Sequence, residues 1–192
     1  SPGAAHRVNA KSLAEAARDW APRFAHLPRP WVGLMVGGDT RRRPFTPEMA
    51  GELARRAAAL AAGGALLVTT SRRTTPMAAQ ALFADLPGPL YAHRWGEAGD
   101  NPYLGILALA DALVVTGDSV SMCCEACAAP APVYVWAPEG WVTDKHARLH
   151  RMLFEQGYAR PLPESGRLHA WSHPPLDPAA EIAAAIRARL EC

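Results

Sequence analysis

Three stretches of the sequence place small and hydroxyl-bearing residues directly after an apolar run and directly before a helix-like one: Gly37-Gly38-Asp39-Thr40, Ser71-Arg72-Arg73-Thr74 and Gly117-Asp118-Ser119-Val120-Ser121. Small residues let backbone N–H groups approach a ligand, hydroxyls donate hydrogen bonds, and the start of a helix adds partial positive charge; together these favour phosphate. Arg72 and Arg73 put paired full charges beside such a helix start, and a guanidinium grips phosphate through two hydrogen bonds. The same residue types also build ordinary turns and caps, so one such loop decides little and three on one rim decide more. Neither the dinucleotide pattern Gly-x-Gly-x-x-Gly nor a phosphate loop ending in Gly-Lys-Ser/Thr is present, which disfavours hydride transfer and P-loop ATP hydrolysis.

Glu125 is the second chemical signal. With Ser121 read as the N-cap, Glu125 sits one turn in on the same face, a residue too late to close a capping box. Its carboxylate is then free to accept hydrogen bonds from the two vicinal hydroxyls of a ribose, beside a phosphate held at the helix start. The plain alternative is an acid favoured by the helix dipole.

The elements that must position these residues follow from periodicity. Lys11 to Phe24 carries Leu13, Ala16, Ala17 and Trp20 at helical spacing, and Pro28 and Pro30 end it. The run WVGLMV stops at Gly37-Gly38, an Ala-rich helix spans about Pro47 to Ala62, and ALLVTT forms a second buried strand before a helix starting near Thr75-Pro76. A short strand around Leu90-Tyr91-Ala92, the helical LGILALA, the strand ALVVT, a helix from Ser121 to Ala128 and the strand PVYVW complete the alternation, with later helices at about Asp144 to Gln156 and Pro178 to Leu190. Continuous apolar strands alternating with helices predict an α/β fold, a Rossmann-like doubly wound parallel sheet of about five strands, whose ligand crevice lies outside the carboxyl ends of the strands.

The 192 residues suit one domain, with residues 1–30 an opening helix and linker, 161–178 a surface loop and 178–192 a C-terminal helix. Hydrophobic residues make up 49% and charged residues 20%, a globular balance. The net charge of +2 is too small to argue for a general nucleic-acid binder, so any anion site is local. No run approaches the length of a membrane span and no signal pattern opens the chain, which with the uneven cysteines predicts a cytoplasmic protein. The start at Ser1-Pro2-Gly3, without an initiator methionine, suggests a processed or cut-down form.

GGDT, TTSRRT, DNPYLGILALADALVVTGDSVSMCCEACAAPAPVYV and the opening His6-Arg7 resemble the family of mitochondrial fission ELM1-type proteins, a bacterial and plant family whose fold is similar to GT-B glycosyltransferases. The likeness runs from about His6 to Gly157. It implies a GT-B C-terminal domain, the nucleotide-sugar-binding half of a two-domain molecule. Carried over residue by residue, it points to Gly38, Asp39, Ser71, Arg72, Arg73, Thr74, Asn101, Pro102, Tyr103, Asp118, Ser119, Val120, Ser121 and Met122 for nucleotide and phosphate, and to Glu125 for the ribose. Backbone around Trp95 to Asn101 would contact the base. The donor implied is a nucleotide-diphosphate sugar, with no metal and no other cofactor. The acceptor site and catalytic base of an inverting GT-B enzyme usually come from an N-terminal domain, so no catalytic residue is assigned, and a separate N-terminal domain or a second copy is the expected partner for turnover. The competing expectation is a non-catalytic scaffold, since the plant relatives implied by the resemblance act in organelle division through a dynamin-like partner; peripheral membrane association is compatible with either.

Sharper patterns are weaker. Cys124-x-x-Cys127 with His146-x-x-x-His150 is similar to a Cys₂His₂ zinc pattern, but the gap is too long and a buried strand fills it. The cysteine pair falls inside a helix, which also disfavours a thioredoxin-like site and favours Cys123, Cys124 and Cys127 as small core hydrophobes. Gly117-Asp118-Ser119-Val120-Ser121 lacks the last glycine of a hydrolase nucleophile elbow. Arg41-Arg42-Arg43 fits a solvated run, and Trp141, Lys145 and His146 are candidates for the mouth of the crevice.

Overall fold

The computed structural model describes residues 8–177. Its elements alternate as the periodicity predicts: α1 (Ala10–Phe24), β1 (Trp31–Val36), α2 (Pro47–Leu60), β2 (Ala65–Thr70), α3 (Pro76–Ala84), β3 (Leu90–His93), α4 (Tyr103–Leu109), β4 (Ala112–Thr116), α5 (Val120–Cys127), β5 (Val133–Trp136), α6 (Asp144–Glu155) and β6 (Ala159–Pro161). The strands form one sheet in the order β3-β2-β1-β4-β5-β6, every neighbouring pair parallel. β1, β2, β4 and β5 are buried throughout, because helices cover both faces and each strand is apolar on both.

Alternation along β1 sorts the core. Val32, Leu34 and Val36 face the side packed by α2 and α3, with Leu53, Leu66, Val68 and Leu82. Trp31 and Met35 face the other side, with Phe24, Ile106, Leu113, Val115 and Leu153 from α1, α4, β4 and α6. From β1 the chain winds outward through β2 to β3, then returns through α4 to β4 on the opposite flank of β1. The loops after β1 and β4 thus leave the sheet side by side at its carboxyl end, where open parallel sheets place their ligands.

Four boundaries differ from expectation. β6 is a sixth strand, too short and too exposed at Arg160 and Pro161 to leave an apolar signal. α2 ends at Leu60 rather than Ala62, since the chain turns through Gly63 at a φ of 84°. The predicted surface loop begins inside β6 and is anchored to the core: Leu162 and Leu176 are buried, and Trp171 packs edge-on against Tyr134 at 5.0 Å. The fourth is the start of α5, described with the site. The predicted helix from Pro178 to Leu190 lies outside the described residues. Among the described residues no helix is long and apolar enough to cross a membrane.

Phe24 closes the core at the end of α1, stacked with Trp20 and edge-on to Trp31 and Tyr91, with no exposed surface. Phe24→Ala is expected to lower the unfolding free energy by about 3–5 kcal/mol in urea titration. A loss below about 1 kcal/mol would mean that α1 is not part of the cooperative core.

Candidate functional site

The crevice is organised by one carboxylate. Asp118, two residues past β4, has a side chain with no exposed surface; its Oδ2 accepts from the Gly38 N–H at 3.0 Å and pairs with Arg73 Nη1 at 2.5 Å. Arg73 comes from the loop after β2 and also donates to the Gly38 and Asp39 carbonyls at 3.3 and 3.0 Å. Three loops thus meet on one buried ion pair. The sequence carries glycines where the approach is closest: a Cβ on Gly37 would stand 2.3 Å from Asp118 Oδ2, and one on Gly38, whose φ is 149°, would stand 2.1 Å from the Arg73 carbonyl oxygen.

This network decides which of the sequence-predicted residues keep donors and acceptors open. The N–H groups of Gly37, Gly38 and Asp39 donate to Thr116 Oγ1 at 2.7 Å, to Asp118 and to the Arg73 carbonyl. The Asp39 carboxylate accepts from the Phe45 N–H at 2.7 Å. Ser71 Oγ donates to the Gly37 carbonyl at 2.6 Å, and Thr74 Oγ1 donates to the same oxygen while accepting from the Ser71 N–H at 3.2 Å. These loops spend their donors on one another. Arg72 is separated from Arg73: it lines a cleft on the outer side of α3, described below.

What remains open lies along α5 and α4. Ser119, not Ser121, caps α5, its side chain accepting from the Met122 N–H at 3.4 Å. Glu125 is consequently in the second turn, the correction arising because Val120 and Ser121 are already helical. The first-turn N–H groups of Val120 and Ser121 have no partner inside the helix. Asn101 Oδ1 accepts from the Tyr103 N–H at 3.0 Å and fixes the start of α4 after Pro102, which sends the Tyr103 hydroxyl to Glu125 Oε2 as a hydrogen-bond donor. Burial, then the Glu125 charge and this hydrogen bond, push the Tyr103 phenol far above its ordinary 10.0, so it stays protonated and donates. A carboxylate has about four lone-pair directions, so Glu125 keeps room for two further hydroxyls.

Thr116 was not singled out from the sequence, Gly37 entered only as part of its turn, and His150 only in the rejected zinc pattern. The available signal for Thr116 was a hydroxyl closing an apolar strand; for the packing of His150 there was none, because it depends on α6 crossing over Gly117. A Cβ on Gly117 would meet the His150 ring at 2.4 Å. Burial lowers the His150 pKa from its ordinary 6.5, against the opposing pull of the Gly117 backbone and the Asp118 charge. His146, one turn earlier, is lowered as well, first by burial and then by Lys145, Arg73 and Arg43. Cys123, Cys124 and Cys127 are buried thiols outside any disulfide, and burial raises the pKa of Cys123 and of Cys127. Among the described residues no group of three or more His, Cys, Asp or Glu side chains is placed to hold a metal.

Strand order, all-parallel pairing and helices on both faces define a Rossmann-like doubly wound α/β fold. The chain belongs to the mitochondrial fission ELM1 family, whose profile matches residues 1–190. It is 34% identical over 192 residues to the mitochondrial fission protein ELM1 of Arabidopsis thaliana, covering 98% of this chain and 44% of that protein. It is also 37% identical over 93 residues to an uncharacterized protein of Rickettsia prowazekii (strain Madrid E), covering 48% of this chain and 26% of the other. The chain thus spans less than half the length of these curated relatives. No solved structure matches.

The burial asymmetry of the ion pair, with Asp118 fully enclosed and Arg73 35% exposed, sets the order of two mutations. Arg73→Ala strands a buried charge and is expected to cost about 3–5 kcal/mol, whereas adding Asp118→Ala to it recovers part of that loss. A double variant less stable than Arg73→Ala would contradict the arrangement. The histidines set a pH dependence: with folded pKa values held below 6.5, the unfolded chain binds more protons below that pH. Stability is then complete above about 6.5 and declines as pH falls, and His150→Gln should flatten the decline of the urea midpoint; an unchanged slope would exclude His150 as a contributor.

Proposed function

We propose that the crevice binds a nucleotide-diphosphate sugar, with Glu125 on the ribose and the start of α5 on the diphosphate, and that glycosyl transfer follows when an acceptor-bearing domain or second copy completes the site. The observation that carries the reading is the pairing, on one short helix, of open first-turn N–H groups with a carboxylate pre-oriented by the Tyr103 hydroxyl. The resemblance to GT-B enzymes, in which a glutamate so placed holds ribose, supports it.

The division of labour follows from which groups are already engaged. Charge developing on a leaving diphosphate is met by the Val120 and Ser121 N–H groups, the Ser121 hydroxyl and the helix dipole. Arg73 is a positioning residue: with its charge matched by Asp118, it fixes the loops and adds little to ligand binding. The loop leading into Asn101 would meet the base. The acceptor and catalytic base belong to the part of the family protein that this chain does not span. A reducing, cytoplasmic setting is consistent with thiols in α5 that form no disulfide.

One observation favours a scaffold instead. The rim loops satisfy their donors internally, so they need no ligand to hold their shape, and the Arabidopsis relative is named for mitochondrial fission. Isothermal titration of the chain with UDP, GDP and their sugar conjugates in EDTA separates the two readings. Saturable binding that weakens about tenfold to a hundredfold in Glu125→Ala, and less in Tyr103→Phe, is the expected result, the range being that of hydrogen bonds to a charged group. No binding by the folded chain would favour the scaffold.

A further inference from the structure

On the α2–α3 side of the sheet, away from Glu125, a cleft of about 790 Å³ opens between α3 and the end of β3. Its chemistry is carried by Arg72, Gln80, Phe83, Arg94 and Trp95, and no carboxylate lines it. Arg72 has no ion-pair or hydrogen-bond partner among the described residues. Arg94 lies over the Phe83 ring at 4.3 Å and reaches Glu97 at 3.4 Å, an exposed contact that leaves most of its donors open. Trp95 is 59% exposed, yet its backbone is fixed, its N–H donating to Thr70 Oγ1 at 2.9 Å. Five of the six tryptophans pack into or against the core, and this one is held at the rim of a cationic cleft.

This cleft and Glu125 are on opposite faces of the sheet. Phe83 packs with the α2–α3 core, whereas Tyr103 and Met122, beside Glu125, pack with the core under α1, α4 and α5. A small ligand seated against Phe83 and Gln80 therefore has the sheet edge between itself and Glu125.

We propose that this cleft is a second ligand site and that it takes a planar ring bearing a phosphate, of the size of a nucleoside monophosphate. The exposed Trp95 indole, and the Arg94 guanidinium plane lying over Phe83, offer stacking surfaces that accept any flat heterocycle. Two guanidiniums without a competing carboxylate in the lining select an anion, and their fork geometry suits phosphate. The volume is that of a small-molecule pocket. Neither Glu125 nor the start of α5 contributes to the site, but Arg72, Thr74 and Trp95 line it and also fall in the stretches that the resemblance places on a nucleotide, so the Glu125→Ala variant is the one that separates the two readings.

The test titrates the whole chain with AMP and UMP, followed by calorimetry and tryptophan fluorescence, beside adenosine and inorganic phosphate. The variants are Trp95→Leu, Arg72→Ala, Arg94→Ala and Glu125→Ala, each checked for folding by circular dichroism; the first three change exposed side chains and leave the core intact. Saturable binding of a monophosphate is expected to weaken about tenfold or more in Trp95→Leu and in each arginine variant, and to change less than about twofold in Glu125→Ala. Adenosine and inorganic phosphate should each bind at least about tenfold more weakly than AMP. Three results would overturn the proposal: no saturation by either monophosphate to about 10 mM, a weakness beyond any functional pocket; binding that survives Trp95→Leu; or binding abolished by Glu125→Ala, which would move the nucleotide to the opposite face.

Discussion

Enclosing the Asp118 carboxylate is the constraint on which the carboxyl end of this sheet depends. A charge removed from water is tolerated only with a close counter-charge and hydrogen bonds, so Arg73 must cross from the loop after β2 and Gly38 must bring its N–H to the same oxygen. The loops after β1 and β2 have no freedom to be elsewhere. Gly37 and Gly38 follow as steric necessities, because any side chain at either would displace the carboxylate or the Arg73 carbonyl.

That same constraint redirects the chemistry. Glycine-rich turns at a switch point commonly expose N–H groups to phosphate, but here those of Gly37, Gly38 and Asp39 are engaged by Thr116, Asp118 and Arg73. The two adjacent arginines part company, one to the buried pair and the other to the α3 cleft. In the proposed reading, positive potential for an anion is left to the start of α5, and hydroxyl recognition to Glu125. The site is a rigid frame around one short helix, and its donors were chosen by what the frame did not consume.

Much of the fold was legible in the sequence because buried parallel strands are written as continuous apolar runs: WVGLMV, ALLVTT and ALVVT could hardly be anything else between helices. β6 was not legible, since a three-residue edge strand ending in Arg160 and Pro161 has no apolar run to show. For the candidate site, residue types marked the loops at the strand ends but not how they pair. Asp118 and Arg73 were visible as loop residues at two strand ends, yet only the strand order, with β1 between β2 and β4, makes them neighbours. The cap of α5 was misplaced by two residues because Ser119 and Ser121 are equally good caps, and tertiary contacts rather than propensity choose between them.

In the proposed mode of binding, a nucleotide diphosphate meets the start of α5 and Glu125 and leaves the Gly37–Asp39 turn unengaged. Backbone amide chemical shifts of the chain, recorded as UDP is added, test it most directly. The predicted result is saturable shifts at Val120, Ser121, Glu125 and Tyr103, with the amides of Gly37, Gly38 and Asp39 little changed. Large shifts confined to the Gly37–Asp39 turn, or none at any of these positions, would contradict it.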